Sequence, residues 1–249
     1  MKLKKILLII LILFILLLNG VNTYAYGFGY KKNSLHLQPD IGKYLNEIKD
    51  TDSYYVGNSN DKVIYLTFDA GYDNGLLEGI LNVLKEKDVK STFFVTGDFL
   101  ERNTDLLLKI VNDGQIIGNH TYNHKNITKI SEKELVNEIT QFENKYKEIT
   151  GKELIKYFRP PEGEFNKESL TIMKKMGYKT FFWSIAYVDW NVNKTQGKKY
   201  AYDSVMNNIH NGAVVLMHTV SKDNLEALPL IIDSVRENGY MIKNLNEFS

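Results

Sequence analysis

From Val63 onward, short runs of β-branched and aromatic residues alternate with longer amphipathic stretches whose apolar residues recur at helical spacing. Such alternation argues for a parallel sheet with crossover helices. The pattern predicts strands at Val63 to Phe68, Ser91 to Thr96, Gln115 to Gly118, Lys156 to Phe158, Thr180 to Ile185, Ala213 to Met217 and Met241 to Lys243. Helices are expected at Gly75 to Lys87, Asn103 to Asn112, Ser131 to Ile149, Lys167 to Met176, Ala201 to Asn208 and Leu225 to Asn238. Ser131 with Glu134 reads as a capping box, and Gly114, Gly177 and Gly239 each stop a helix shortly before the next strand. Strict alternation of seven strands and six helices predicts an α/β fold, a single-domain distorted (β/α) barrel of about seven parallel strands.

Ahead of the barrel lies a polar, tyrosine-rich lead-in from Tyr26 to Asn60. The expected organisation is therefore residues 1–25 as an export segment, 26–60 as a lead-in packed on the barrel and 61–249 as the working domain. Lys2, Lys4 and Lys5 precede 13 consecutive apolar residues, Ile6 to Leu18, and small residues at Thr23 and Ala25 suit cleavage after Ala25. The segment is either a cleaved signal peptide or a retained N-terminal anchor, and in both cases the domain works outside the cytoplasmic membrane.

Composition sharpens this picture at two points. The whole chain has 31 basic and 30 acidic residues; without the three leading lysines the balance is 28 against 30, a net charge of −2. A slightly acidic surface is unsuited to nucleic acid, whose backbone demands basic contacts. The 249 residues include no cysteine, so disulfides, thiolate metal sites and a cysteine nucleophile are all excluded.

The working face of such a barrel is formed by the C-terminal ends of its strands. Asp69 to Asp73 follow the first strand; Asn119, His120 and His124 the third; Arg159 to Gly163 the fourth; Asp189 and Trp190 the fifth; His218 and Thr219 the sixth. Three of the five histidines thus fall on one face. His120 and His124, four apart, present two imidazoles to one divalent metal if the segment makes a helical turn, or else are a solvated pair. Asp69 is placed either to take a proton from a water or to cap the following helix. His218 is either a general acid or a satisfied interior histidine. Arg159 and Asp189 orient these groups, or form a structural ion pair with each other.

These residues resemble the polysaccharide deacetylases, the family 4 carbohydrate esterases that share the NodB homology domain. Five motifs occur in family order: Thr67 to Gly71, His120 to His124, Arg159 to Gly163, Asp189-Trp190 and Leu216 to Thr219. Within the family, Tyr65 to Gly75, Phe182 to Trp190, Gly197 to Asp203 and His218 to Ala227 are most similar to the delta-lactam-biosynthetic de-N-acetylases of spore-forming bacteria. The resemblance implies metal-assisted removal of the N-acetyl group from muramic acid in peptidoglycan strands, on the way to muramic-δ-lactam of the spore cortex. It implies Asp69 as base, His218 as acid, Arg159 and Asp189 as their partners, and His120 and His124 as ligands of Zn²⁺, or of Co²⁺ or Mn²⁺. It further assigns the backbone N–H of Glu162 to the oxyanion, and Trp190 and Leu216 to a pocket for the acetyl methyl.

One position departs from the pattern. Ala70 stands where most of the family has a second, metal-binding Asp, so the metal is expected to bind weakly, with Asp73 or water completing its shell. Two other readings stay open: a deacetylase of N-acetylglucosamine in peptidoglycan or another glycan, and a glycan-binding module without turnover. Oligomeric state has no sequence signature here.

Overall fold

The computed structural model describes residues 24–33 and 35–249; the expected export segment lies almost wholly outside the described residues. Among the described residues no helix is long and apolar enough to cross a membrane. The lead-in supplies strand β1 (Tyr26–Gly27), helix α1 (Tyr44–Ile48) and strand β2 (Ser53–Tyr54). Then follow β3 (Val63–Ala70), α2 (Leu77–Glu86), β4 (Thr92–Val95), α3 (Gly97–Arg102), α4 (Thr104–Asn112), β5 (Ile116–Asn119), α5 (Glu132–Thr150) and β6 (Tyr157–Phe158). The chain continues through β7 (Glu164–Phe165), α6 (Lys167–Lys175), β8 (Lys179–Phe181), α7 (Lys198–Met206), β9 (Ala213–His218), α8 (Lys222–Glu237) and β10 (Met241–Lys243).

All seven expected strands join one parallel sheet, ordered β10-β3-β4-β5-β6-β8-β2, with β9 on β3. The sheet curls into a distorted (β/α) barrel because Ile185, four residues beyond β8, bridges Val215 of β9. The run expected as one strand from Thr180 to Ile185 is thus divided: β8 ends at Phe181, and the chain shifts from β6 to β9 before pairing again. Its eighth strand, β2, comes from the lead-in and pairs with β8, while β1 pairs antiparallel with β7.

Every residue of β3 is buried, and its side chains alternate in period two. Ile64, Leu66, Phe68 and Ala70 enter the outer apolar layer with Leu77, Ile80, Leu81 and Leu228 of the flanking helices. Val63 and Tyr65 turn into the barrel with Phe94, Phe181 and Val214, and the same inward row ends at Thr67 and Asp69. Alternation therefore delivers Asp69 to the barrel mouth and packs Ala70 among apolar side chains. The lead-in lays an aromatic cluster against the opposite wall: Phe28 stacks on Phe182 with ring centroids 4.3 Å apart, flanked by Tyr44, Tyr55, Phe165 and Trp183.

Helix starts show where local signals were read correctly and where they were not. Ser131 accepts a hydrogen bond from the Glu134 amide, but the Glu134 carboxylate does not complete a box; it pairs with Lys125 at 2.6 Å. A full capping box occurs instead at Asn166 and Ser169, opening α6. The six-residue α3, absent from the expected elements, begins where Thr96 Oγ1 accepts from the Phe99 amide at 3.2 Å.

Candidate active site

Asp69 ends the inward row of β3, and Arg159 follows β6 directly across the barrel mouth. The guanidinium is fully buried, and each of its nitrogens has a partner. It donates to Asp69 Oδ1 at 2.7 Å, to Thr67 Oγ1 at 2.9 Å and to the Phe181 carbonyl at 3.1 Å, and lies over the Phe94 ring at 4.2 Å. Burial alone would raise the Asp69 carboxyl, but the Arg159 charge and its hydrogen bond hold it below the ordinary carboxylate value. Asp69 is thus an ionised, oriented carboxylate rather than a helix cap.

His120 lies against this pair, its Nε2 3.7 Å from Asp69 Oδ2. Its Nδ1 is 2.8 Å from the Arg159 carbonyl, which can only accept, so Nδ1 carries the proton and Nε2 keeps its lone pair. Burial pushes its pKa down to about 4, and burial also lowers that of His124. The two rings stand 5.0 Å apart at 70°. They are not brought together by a helical turn: the segment is an irregular bend in which Thr121 and His124 adopt φ of 65° and 54°. A β-branched residue rarely adopts this left-handed conformation, which costs about 1–3 kcal/mol. The bend is held by Glu138 of α5, whose buried carboxylate accepts from the Asn123 amide at 2.7 Å and from Asn123 Nδ2 at 2.8 Å.

On the other side, His218 ends β9 in register with Asp69. Its Nδ1 is 2.7 Å from Asp189 Oδ1, and its backbone amide donates to Asp189 Oδ2 at 2.8 Å. Burial lowers the imidazole pKa, but the Asp189 carboxylate outweighs it, and the net shift is upward. The structure separates Arg159 from Asp189 by giving each its own partner, so they form no ion pair with each other.

Asp69, His120, His124 and His218 face one cavity of about 960 Å³, which Glu162, Trp190 and Leu216 also line. Leu216 is buried and Trp190 is 57% exposed at the rim. Glu162 has φ 57°, a left-handed turn stiffened by Pro160 and Pro161 before it. The following Gly163 is required, since a Cβ there would sit 2.6 Å from the Trp183 ring.

Asp73 is the one expected site residue placed elsewhere. Its Oδ1 accepts from the Leu77 amide at 3.4 Å, at the start of α2, and it does not line the cavity. Among the described residues no group of three or more histidine and carboxylate side chains is arranged as a metal cage. The donor set still suits a divalent cation: two neutral imidazoles with free lone pairs beside an ionised carboxylate. The sequence reading missed Tyr122, Trp183 and Tyr187 in the lining, and Glu138 and Asn224 behind it. The three aromatics carry only their character near strand ends as a cue, and Glu138 and Asn224, both inside helices, carry none.

An ionised carboxylate and an imidazole of raised pKa, each held by its own partner, thus face one cavity together with a pair of histidines at the mouth of a (β/α) barrel. Residues 56–181 match the family described as polysaccharide deacetylase. The chain is 42% identical over 221 residues to the peptidoglycan-N-acetylmuramic acid deacetylase PdaA of Bacillus subtilis, covering 88% of this chain and 84% of that one. It is 33% identical over 193 residues to a peptidoglycan-N-acetylglucosamine deacetylase of Bacillus cereus, covering 74% and 67%. The solved structure of Bacillus subtilis PdaA, a family 4 carbohydrate esterase, superposes with a TM-score of 0.88 at 41% identity, covering 92% of this chain and 98% of that one. The chain belongs to the polysaccharide deacetylase family, and it is a deacetylase hydrolase.

Proposed function

We propose that this enzyme removes the N-acetyl group of N-acetylmuramic acid in peptidoglycan strands, outside the cytoplasmic membrane, as a step toward muramic-δ-lactam. The observation that carries the chemistry is the pairing of Asp69 with Arg159 and of His218 with Asp189 on opposite sides of one cavity. The substrate is supported by the similarity to the muramic acid deacetylase, which extends over 88% of the chain.

In the reaction, Asp69 takes a proton from the attacking water, oriented by the Arg159 fork on its other oxygen. The water oxygen bonds to the acetyl carbon, and the carbonyl oxygen becomes an oxyanion that the Glu162 backbone N–H stabilises. His218 then gives its proton to the nitrogen as the carbon–nitrogen bond breaks, releasing acetate and the sugar amine. Leu216 and Trp190 hold the acetyl methyl and exclude water from it. A divalent cation held by His120 and His124, Zn²⁺ or alternatively Co²⁺ or Mn²⁺, supplies Lewis acidity toward the acetyl carbonyl when bound. Ala70 offers no donor, so these two imidazoles bind it more weakly than a three-ligand site would.

The test is mass spectrometry of purified glycan strands, with and without stem peptides, after incubation with protein and each metal. Acetyl loss from muramic acid is expected. Loss from glucosamine alone would transfer the substrate assignment, and no loss with any metal would overturn the proposal.

A further inference from the structure

Behind the acid pair lies a fully buried polar side chain, Asn224, in the first turn of α8. Its Nδ2 donates to Asp189 Oδ2 at 2.6 Å and to the His218 carbonyl at 3.1 Å, and its Oδ1 accepts from the Tyr187 hydroxyl at 2.7 Å. Helix capping does not need this side chain, because Ser221 Oγ already accepts from the Asn224 amide at 3.2 Å. All three polar contacts of the carboxamide are instead directed at the loop and strand end that carry Asp189 and His218.

The orientation of the amide is determined by its partners. A carboxylate oxygen and a carbonyl oxygen both require a donor, so a flipped Asn224 would set Oδ1 against two acceptors. Tyr187, whose phenol is pushed well above its ordinary pKa by burial, keeps its proton and donates it to Oδ1. Asp189 Oδ2 is thereby occupied by two donors, Asn224 Nδ2 and the His218 amide, and only Oδ1 is left for the imidazole.

We propose that Asn224, held by Tyr187, is a positioning residue for deacetylation: it locks the Asp189 carboxylate in the rotation that keeps the His218 proton on Nδ1 and turns Nε2 to the cavity. The proposal rests on the reading of His218 as the acid. A free carboxylate could rotate about its Cβ–Cγ bond, exchange oxygens and let the ring swing; the fixed one holds the imidazole where the amine departs.

The experiment compares wild type with Asn224→Asp, Asn224→Leu, Tyr187→Phe and His218→Ala, each measured for kcat, KM and melting temperature on glycan strands with added metal. The far-downfield proton resonance of the His218 Nδ1–H is recorded for each by NMR, His218→Ala supplying its assignment. In Asn224→Asp the near-isosteric carboxylate faces Asp189, so kcat is expected to fall about 10- to 100-fold with KM nearly unchanged, together with loss of that resonance. Asn224→Leu should behave alike, and Tyr187→Phe should show a smaller change in the same direction. If the Asn224 variants do not fold, Tyr187→Phe decides: wild-type kcat and resonance there overturn the proposal. Folded Asn224→Asp with wild-type kcat and resonance, while His218→Ala is inactive, overturns the role of Asn224 alone. Wild-type kcat in His218→Ala overturns the acid assignment and this inference with it.

Discussion

Asp69 and His218 are cross-strand neighbours on β3 and β9, yet their surroundings drive their proton affinities in opposite directions. Against the pull of burial, Arg159 lowers the carboxyl and Asp189 raises the imidazole, so Asp69 stays ionised and His218 stays protonated over one shared pH range. Two titrating groups pushed apart in this way are what the proposed base and acid roles require.

The sign of each shift gives a pH profile. Loss of activity on the acid side follows protonation of Asp69, below the ordinary carboxylate value; loss on the alkaline side follows deprotonation of His218, above the ordinary imidazole value. Asp189→Asn removes the charge that holds the His218 proton, so its alkaline limb should move to lower pH. By analogy with other imidazole–carboxylate pairs, kcat should fall by about 10²- to 10⁴-fold. The dependence of kcat/KM on pH for wild type and variant checks both statements, and an unmoved alkaline limb would assign that limb to another group.

Arg159 and Asp69 form a buried pair, and removing one partner leaves the other uncompensated. Arg159→Leu should therefore cost about 3–5 kcal/mol in urea unfolding as well as activity. Arg159→Lys keeps the charge but not the fork that reaches Asp69, Thr67 and the Phe181 carbonyl together, and should recover part of the stability with little turnover. Equal stability of Arg159→Leu and wild type would refute the buried-pair argument.

His120 makes stability depend on pH in metal-free protein. Its pKa is about 4 in the folded state against an ordinary 6.5, so between these values the unfolded chain binds more protons. The stabilisation is complete above pH 6.5 and is lost as pH falls toward 4, on the order of 3 kcal/mol in all. Melting temperatures in chelator across this window should fall more steeply for wild type than for His120→Gln. Parallel curves would show that His120 takes its proton as readily in the fold as in the unfolded chain.

What could be read from the sequence and what could not divides along physical lines. Strands β3, β4 and β9 were legible because both of their faces are covered, which forces continuous apolar runs, and the loops after the strands then brought Asp69, Arg159, Asp189 and His218 toward one face. Strand β2 escaped because two residues, Ser53 and Tyr54, carry no periodicity. The closure at Ile185 depends on a shift between neighbours, which leaves no mark in an apolar run. The place of Asp73 was not legible because spacing cannot distinguish a ligand from a helix-start acceptor. The bend from His120 to His124 was not legible, since nothing about Thr121 announces a positive φ; the force that holds it there comes from Glu138, on the following helix.

That dependence supplies the last prediction. Glu138 is buried with a 1% exposed surface, and its two oxygens hold both the backbone and the side chain of Asn123, between the imidazoles. Hydrogen bonds to a charged group contribute about 1.5–3 kcal/mol, comparable to the cost of keeping Thr121 and His124 left-handed. In Glu138→Ala the bend is expected to relax toward ordinary φ values, separating the rings. Zn²⁺ affinity by titration calorimetry should fall about 10- to 100-fold, with a lower melting temperature. Glu138→Gln retains one acceptor for the Asn123 amide but presents a donor to Asn123 Nδ2, so its affinity should lie between the two. Unchanged Zn²⁺ affinity in a folded Glu138→Ala would mean that the histidines hold their arrangement without α5.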